Sequence, residues 1–218
     1  MKTQKLLSTF LLLFGILSLA TAQSKIKGKG PIVKETVALS EIHSIGLGIA
    51  ANIYLTQSSK QEVVIEGQQN IIENIKKEVK NGAWNIDFER KAYSYNELNI
   101  YISLKTIRSL AIGGSGNIKG QTAFNNLKDL EVSIGGAGHV ALRGNAQKVE
   151  INIGGSGEVN MTNLRADHCT VSIAGNGNCQ VDVGEKLDVS IAGMGNVRYS
   201  GNPKASSSIA GMGNVKKL

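Results

Sequence analysis

The feature that most constrains this chain is a short motif written six times across its second half. Leu110-Ala-Ile-Gly-Gly-Ser-Gly-Asn-Ile118, Val132-Ser-Ile-Gly-Gly-Ala-Gly-His-Val140 and Ile151-Asn-Ile-Gly-Gly-Ser-Gly-Glu-Val159 align without gaps about a Gly-x-Gly centre. Val171-Ser-Ile-Ala-Gly-Asn-Gly-Asn-Cys179, Val189-Ser-Ile-Ala-Gly-Met-Gly-Asn-Val197 and Ser207-Ser-Ile-Ala-Gly-Met-Gly-Asn-Val215 complete the series. The first glycines fall at Gly114, Gly136, Gly155, Gly175, Gly193 and Gly211, which are 22, 19, 20, 18 and 18 residues apart. A period this short holds two or three brief strands with their turns and leaves no room for a regular helix. Units of this kind bury their apolar side only by stacking on one another.

Ahead of each glycine centre the apolar residues alternate, as in Leu130-x-Val132-x-Ile134, Val149-x-Ile151-x-Ile153 and Leu187-x-Val189-x-Ile191. A period of two is the mark of a strand with one buried face. Behind each centre one polar residue precedes one more apolar residue: Ile118, Val140, Val159, Cys179, Val197 or Val215. Stacked in register, these positions become interior columns and the glycines become corners, where positive φ and close backbone approach are both available. The expected fold class is therefore all-β, a β-solenoid with Gly-x-Gly-Asn turns. The residues after the second glycines, Asn117, His139, Glu158, Asn178, Asn196 and Asn214, are expected to form a ladder at one corner. Asparagine suits turn geometry and can bond the next rung, so a ligand is not needed to explain them.

Composition supports an ordered chain: 26 glycines stand against 2 prolines, and the apolar positions are too regular for a disordered low-complexity segment. The formal charge of +7 is ordinary for an exported soluble domain, and no basic run interleaved with aromatics indicates nucleic acid. The first residues read Met1, Lys2, Thr3, Gln4, Lys5, then an apolar run from Leu6 to Ala20, then Thr21-Ala22-Gln23. That is the layout of a secretory signal with cleavage after Ala22, and the run is too short for a permanent bilayer span. No integral membrane segment is expected after cleavage.

Between about Ile32 and Leu104 the strand signals are less regular. Ile53–Gln57, Glu62–Glu66 and Leu98–Leu104 read as strands, and Asn81-Gly82 predicts a type I′ hairpin between Lys76–Lys80 and Ala83–Phe88. Only Gln69–Val79, with Ile71, Ile72, Ile75 and Val79 on one face, hints at a short helix. Ile45-Gly-Leu-Gly-Ile-Ala-Ala-Asn-Ile-Tyr54 reads as an early, degenerate copy of the repeat. The organisation expected is a signal peptide over 1–22, a linker over 23–36 and one domain over 37–218, irregular over 37–104 and regular over 105–218.

A Gly-x-Gly strand near the start, an Asn-Gly hairpin with an apolar strand after it, and serial Gly-Ser-Gly-Asn turns together resemble the head GIN domain family of putative autotransporter adhesins. The resemblance runs from about Val37 to Val215. It implies an exported protein of the Bacteroidetes type with a right-handed parallel β-helix. No membrane-embedded β-barrel is expected after the last repeat, so self-transport is not implied.

Gly46-Leu-Gly48-Ile-Ala-Ala51 lacks the helix that a dinucleotide fingerprint opens, and no glycine turn continues into Gly-Lys-Ser or Gly-Lys-Thr. Ser156 stands where other repeats have Ala137, Asn176 and Met194, so a serine nucleophile does not account for the position. His43, His139 and His168 have no partners at zinc spacing, since Asp167, His168 and Cys169 alternate between strand faces. Asp167, Asp182 and Asp188 fall on different rungs or faces. Cys169 and Cys179 sit in core columns and read as buried thiols. No catalytic, cofactor or metal residue is assigned, and no cofactor is expected. The function expected is an exported cell-envelope binding or structural protein, adhesin-like, whose partner is a glycan or another envelope protein. The alternative is a carbohydrate-active enzyme, a polysaccharide lyase or hydrolase, on the same scaffold. Self-association through the solenoid's C-terminal end is a further expectation.

Overall fold

The computed structural model describes residues 25–218; the signal peptide expected over 1–22 lies outside the described residues. The elements run β1 (Ile26–Lys27), β2 (Ile32–Val37), β3 (Ser44–Leu47), β4 (Asn52–Gln57), β5 (Glu62–Gln68), α1 (Gln69–Ile72), β6 (Val79–Lys80), β7 (Ala83–Ile86), β8 (Ala92–Ser94) and β9 (Asn99–Leu104). The repeat region follows with β10 (Ser109–Ile112), β11 (Asn117–Gly120), β12 (Phe124–Ile134), β13 (His139–Ile153), β14 (Glu158–Ile173), β15 (Asn178–Gly193), β16 (Asn196–Gly201), β17 (Lys204–Gly211) and β18 (Asn214–Lys217). The chain is an all-β parallel solenoid of about five turns.

Each rung enters its glycine corner from one wall and leaves along another. Wall 1 stacks β7, β3, β10, the C-terminal halves of β12, β13, β14 and β15, and then β17, all parallel. Wall 2 stacks β9, β4, β11, the N-terminal halves of β13, β14 and β15, then β16 and β18, again all parallel. Within the long strands the alternation breaks twice, as where Met161 is followed inward by Leu164 and Ala166 by Cys169. The ladder register shifts at the same two places, so each rung bends there and a third, shorter wall closes the interior.

The interior is built from the columns that the alternation predicts. Leu47, Ile112, Ile134, Ile153, Ile173 and Ile191 pair rung to rung and are all nearly inaccessible to solvent. Ile53, Ile118, Val140, Val159, Cys179 and Val197 form the matching column on wall 2. Each fully buried Val or Ile stabilises the fold by about 1.5–3 kcal/mol, and one rung alone has nothing to bury it against.

Of the two roles expected of the corner glycines, positive φ and close backbone approach, the second is the general one. Among the first glycines of the six centres only Gly193 and Gly211 have positive φ. The common reason is proximity. A Cβ on Gly155 would lie 2.3 Å from the Gly136 carbonyl oxygen below it, and one on Gly157 would lie 2.6 Å from Ile134 Cγ2. The first glycine lets stacked backbones touch, and the second makes space for the isoleucine of the rung beneath. The middle residue needs only its backbone: the N–H groups of Ser156, Asn176, Met194 and Met212 donate to Gly136, Gly155, Gly175 and Gly193 at 2.9–3.1 Å. The hydrogen-bond ladder thus continues around the bend, whatever side chain stands there.

The irregular first half closes the other end. The early copy is real: β3 and β4 lie directly beneath β10 and β11, although about fifty residues intervene. That intervening chain passes to the bottom of the stack and returns β7 and β9 as the first rung. On these, β6 and β5 pair antiparallel, and β2 pairs antiparallel with β5, so part of the stretch expected as a linker is strand. The hairpin forms where expected, with Asn81 and Gly82 both at positive φ and Val79 opposite Trp84. The short helix is a single turn, α1, which buries Ile71 and Ile72. Trp84 is wholly buried, and its indole N–H donates to the Lys76 carbonyl at 2.8 Å.

Because a corner glycine abuts backbone rather than a movable side chain, Gly155→Ala is expected to destabilise the fold by about 2–4 kcal/mol, whereas Ser156→Ala is expected to be near neutral. Paired denaturant titrations check this; equal midpoints for the two variants would remove the proximity argument.

Candidate binding surface

Wall 2 carries a regular polar surface. Its first outward column reads Asn99, Asn52, Asn117, His139, Glu158, Asn178, Asn196 and Asn214, in unbroken parallel register. Strand alternation forces these residues outward, because Ile53, Ile118, Val140 and their equivalents, one position later, fill the core. The ladder expected from the sequence forms. Asn52 Nδ2 donates to Asn99 Oδ1 at 3.1 Å, Asn117 Nδ2 to Asn52 Oδ1 at 2.9 Å, and Asn196 Nδ2 to Asn178 Oδ1 at 3.2 Å. Midway, His139 Nδ1 and Glu158 Oε2 lie 3.5 Å apart across adjacent rungs. An amide has two N–H donors and two acceptor lone pairs; Asn52 and Asn99 spend further donors on Glu97 and Glu66, whereas the bond between Asn178 and Asn196 leaves most of their capacity facing solvent.

Two residues further along each strand lies a second outward column: Tyr101, Tyr54, Lys119, Ala141, Asn160, Gln180, Arg198 and Lys216. Tyr101 and Tyr54 stack with ring centroids 5.1 Å apart. The Tyr101 hydroxyl donates to Glu66 at 2.8 Å; this bond pushes the phenol up to about 12 and holds the Glu66 carboxyl below its usual range. Lys34 lies 3.4 Å from Glu66 and also covers the Tyr101 ring. The aromatic end of the column is therefore occupied by its own neighbours, and the open chemistry lies toward Gln180, Arg198 and Lys216. A shallow depression of about 370 Å³ is lined there by Glu158, Asn178, Gln180, Asn196 and Arg198. The larger depression, about 690 Å³, includes Arg108, Lys128, Asp129, Glu131, Lys148 and Glu150; its charges alternate in sign, as on a solvated face.

The residues tested for catalysis do not converge. Asp182 accepts from Arg165 at 2.7 Å and from Ser200 at 3.0 Å near wall 2. Asp188, on wall 1, accepts from Lys186 and Ser206, both at 2.6 Å, which holds its carboxyl below the usual range. His43 Nδ1 lies 3.0 Å from Ser44 Oγ, His168 pairs with Glu185 at 3.7 Å, and Ser156 is an exposed corner residue. Among the described residues no group of three or more His, Cys, Asp or Glu side chains could hold a metal ion. Cys169 and Cys179 are free thiols in the core columns; burial pushes Cys169 up to about 12 and Cys179 well above its ordinary value. The stacking of Arg198 on Lys216 escaped the sequence reading, although both stand two places after the motif's asparagine.

Fold and surface together define a one-sided parallel solenoid that exposes a ladder of amides. The chain belongs to the family described as putative auto-transporter adhesin, head GIN domain, whose model matches residues 42–203. Among solved structures it is similar to a putative adhesin from Bacteroides fragilis, at 25% identity and a TM-score of 0.70, over 88% of this chain and 100% of that one. It also shares its fold with a putative adhesin from Parabacteroides merdae, at 17% identity, TM-score 0.54, and 89% and 99% coverage. A putative lipid binding protein from Parabacteroides distasonis shares it too, at 21% identity, TM-score 0.53, and 89% and 100% coverage. No curated protein is a significant match. Among the described residues no helix is long and apolar enough to cross a membrane.

The burial of both thiols makes a simple expectation. A thiol reagent at mildly alkaline pH should label neither cysteine in the folded protein and both in denaturant, because only the thiolate reacts and both are held protonated. Labelling of neither in denaturant would mean a disulfide instead.

Proposed function

We propose that the protein is an exported component of the cell envelope that binds a partner, a glycan or another envelope protein, along wall 2 of its solenoid, without catalysing a reaction. The observation that carries this reading is the outward polar column in continuous register, six asparagines interrupted by His139 and Glu158, in a member of an adhesin-like family. A column repeated at the strand spacing, about 4.8 Å, offers an extended partner amide donors and acceptors on successive rungs at either side of the His139–Glu158 pair. The leader over residues 1–22 supports export. A lyase or hydrolase would need acids converging in a groove, and Asp182 and Asp188 are instead taken up by separate cations.

The test has two parts. The chain expressed with its own leader should be recovered outside the cytoplasm in a form beginning at Gln23. The purified protein should then pellet with washed envelopes, and Asn117→Asp combined with Asn178→Asp should weaken pelleting without changing the unfolding free energy by more than about 1 kcal/mol. Retention in the cytoplasm, or pelleting unaffected by the substitutions, would contradict the reading.

A further inference from the structure

We propose that the C-terminal half of wall 2 is a binding track for a linear acidic polysaccharide lying along the solenoid axis, with Arg198 and Lys216 meeting its carboxylates and Asn178, Asn196 and Asn214 its hydroxyls. The proposal rests on the reading of wall 2 as the binding face.

Its first support is a pair of like charges that the fold does not need. Arg198 and Lys216 occupy directly paired positions on β16 and β18, so they stand one strand spacing apart on the same face. Like charges directly opposite one another in a sheet destabilise it. Both side chains are exposed, and neither forms an ion pair among the described residues. After Asp188 no acidic residue occurs, while Arg198, Lys204, Lys216 and Lys217 do, and the carboxylates of the neighbouring rungs, Asp182 and Glu158, face Arg165 and His139 instead. An anionic partner supplies the missing countercharge.

The second support is what surrounds the cations. Asn178 and Asn196 share one ladder hydrogen bond, and Asn214 pairs with Asn196 in the next rung; all three are exposed. Together with Gln180 and Arg198, the first two line the shallow depression of about 370 Å³. Its single carboxylate, Glu158, faces His139 on the rung below. Amides beside a guanidinium provide hydrogen bonds for hydroxyls and a fork for a carboxylate. The repeat of this set from rung to rung matches a polymer of repeated units better than it matches a folded protein, whose hot spots cluster in one well-packed, desolvated patch at the centre of the interface. The aromatic residues of this column, Tyr54 and Tyr101, stack on each other at the opposite end of the wall.

Three immobilised polymers separate the possibilities: polygalacturonate, the same chain as its neutral methyl ester, and polyglutamate, which has carboxylates without sugar hydroxyls. The intact mature protein should bind polygalacturonate, and bind the ester and polyglutamate roughly tenfold or more weakly. Arg198→Gln with Lys216→Gln should reduce polygalacturonate binding by at least about tenfold. Asn178→Ala with Asn196→Ala should reduce it while leaving residual polyglutamate binding unchanged. Equal binding to polyglutamate, equal binding to the ester, no binding to polygalacturonate, or full binding by the Arg198/Lys216 variant would each overturn the proposal. Envelope pelleting of that variant separates this proposal from the broader reading. Wild-type pelleting by the variant ends the polysaccharide track and leaves the binding role standing, whereas absence of pelleting by the unmodified protein ends both.

Discussion

Everything in this structure depends on one rung lying flush upon the next at the glycine corner. Backbone atoms of successive corners come so close that a single methyl group at Gly136, Gly155 or Gly175 would lie 2.2–2.4 Å from a carbonyl oxygen. That contact lets the corner amides stay in the hydrogen-bond ladder, and it brings the isoleucine of one rung against the second glycine of the next. Lifting one corner would open both walls together, because the columns on either side share the same rise. Side-chain variety is tolerated wherever the contact uses only backbone, which is why serine, alanine, asparagine and methionine all serve as the middle residue.

The same geometry decides where function can reside. Parallel sheets usually have both faces covered, but a solenoid covers only the inner one. Inward positions are committed to the core, and outward positions are free to repeat a surface pattern. On wall 2 that freedom yields a column that is structural and chemical at once: Asn178 and Asn196 brace each other and still present unused donors and acceptors. The closed N-terminal end, with antiparallel β2, β5 and β6 and the turn α1 laid over the first rung, protects the columns there and leaves the walls as the broad exposed surfaces.

How much of this was legible in the sequence varied with the range of the interaction. The repeat, its core columns, the asparagine ladder and the Asn81-Gly82 hairpin all follow from spacings of a few residues to one rung, and each appears as read. The family resemblance, drawn from the same motifs, agrees with the family model over residues 42–203. The return of β7 and β9 to the base of the stack was not readable, because their partners β3 and β4 come earlier in the chain and no local pattern sets that order. Strand β2 falls mostly within the stretch expected as a linker for a related reason: Ile32–Val37 is a half-exposed edge whose partner is β5. The corner glycines carry both expected roles, close backbone approach at every rung and positive φ at Gly193 and Gly211 alone, and only the register shows how the two are divided. The juxtaposition of Arg198 with Lys216 needed the register, after which it became a simple consequence of adding one period.

The register itself can be measured directly by disulfide trapping between rungs. Cysteines placed at Asn178 and Asn196 would have Cα atoms about 4.8 Å apart, within the range that a disulfide spans, while Asn178 and Asn214 would be about twice as far apart. With Cys169 and Cys179 buried, the account predicts efficient oxidation of the Asn178→Cys/Asn196→Cys variant within one molecule and none of the Asn178→Cys/Asn214→Cys variant. Cross-linking of the second pair, or failure of the first in a folded protein, would contradict the stacking on which the structure depends.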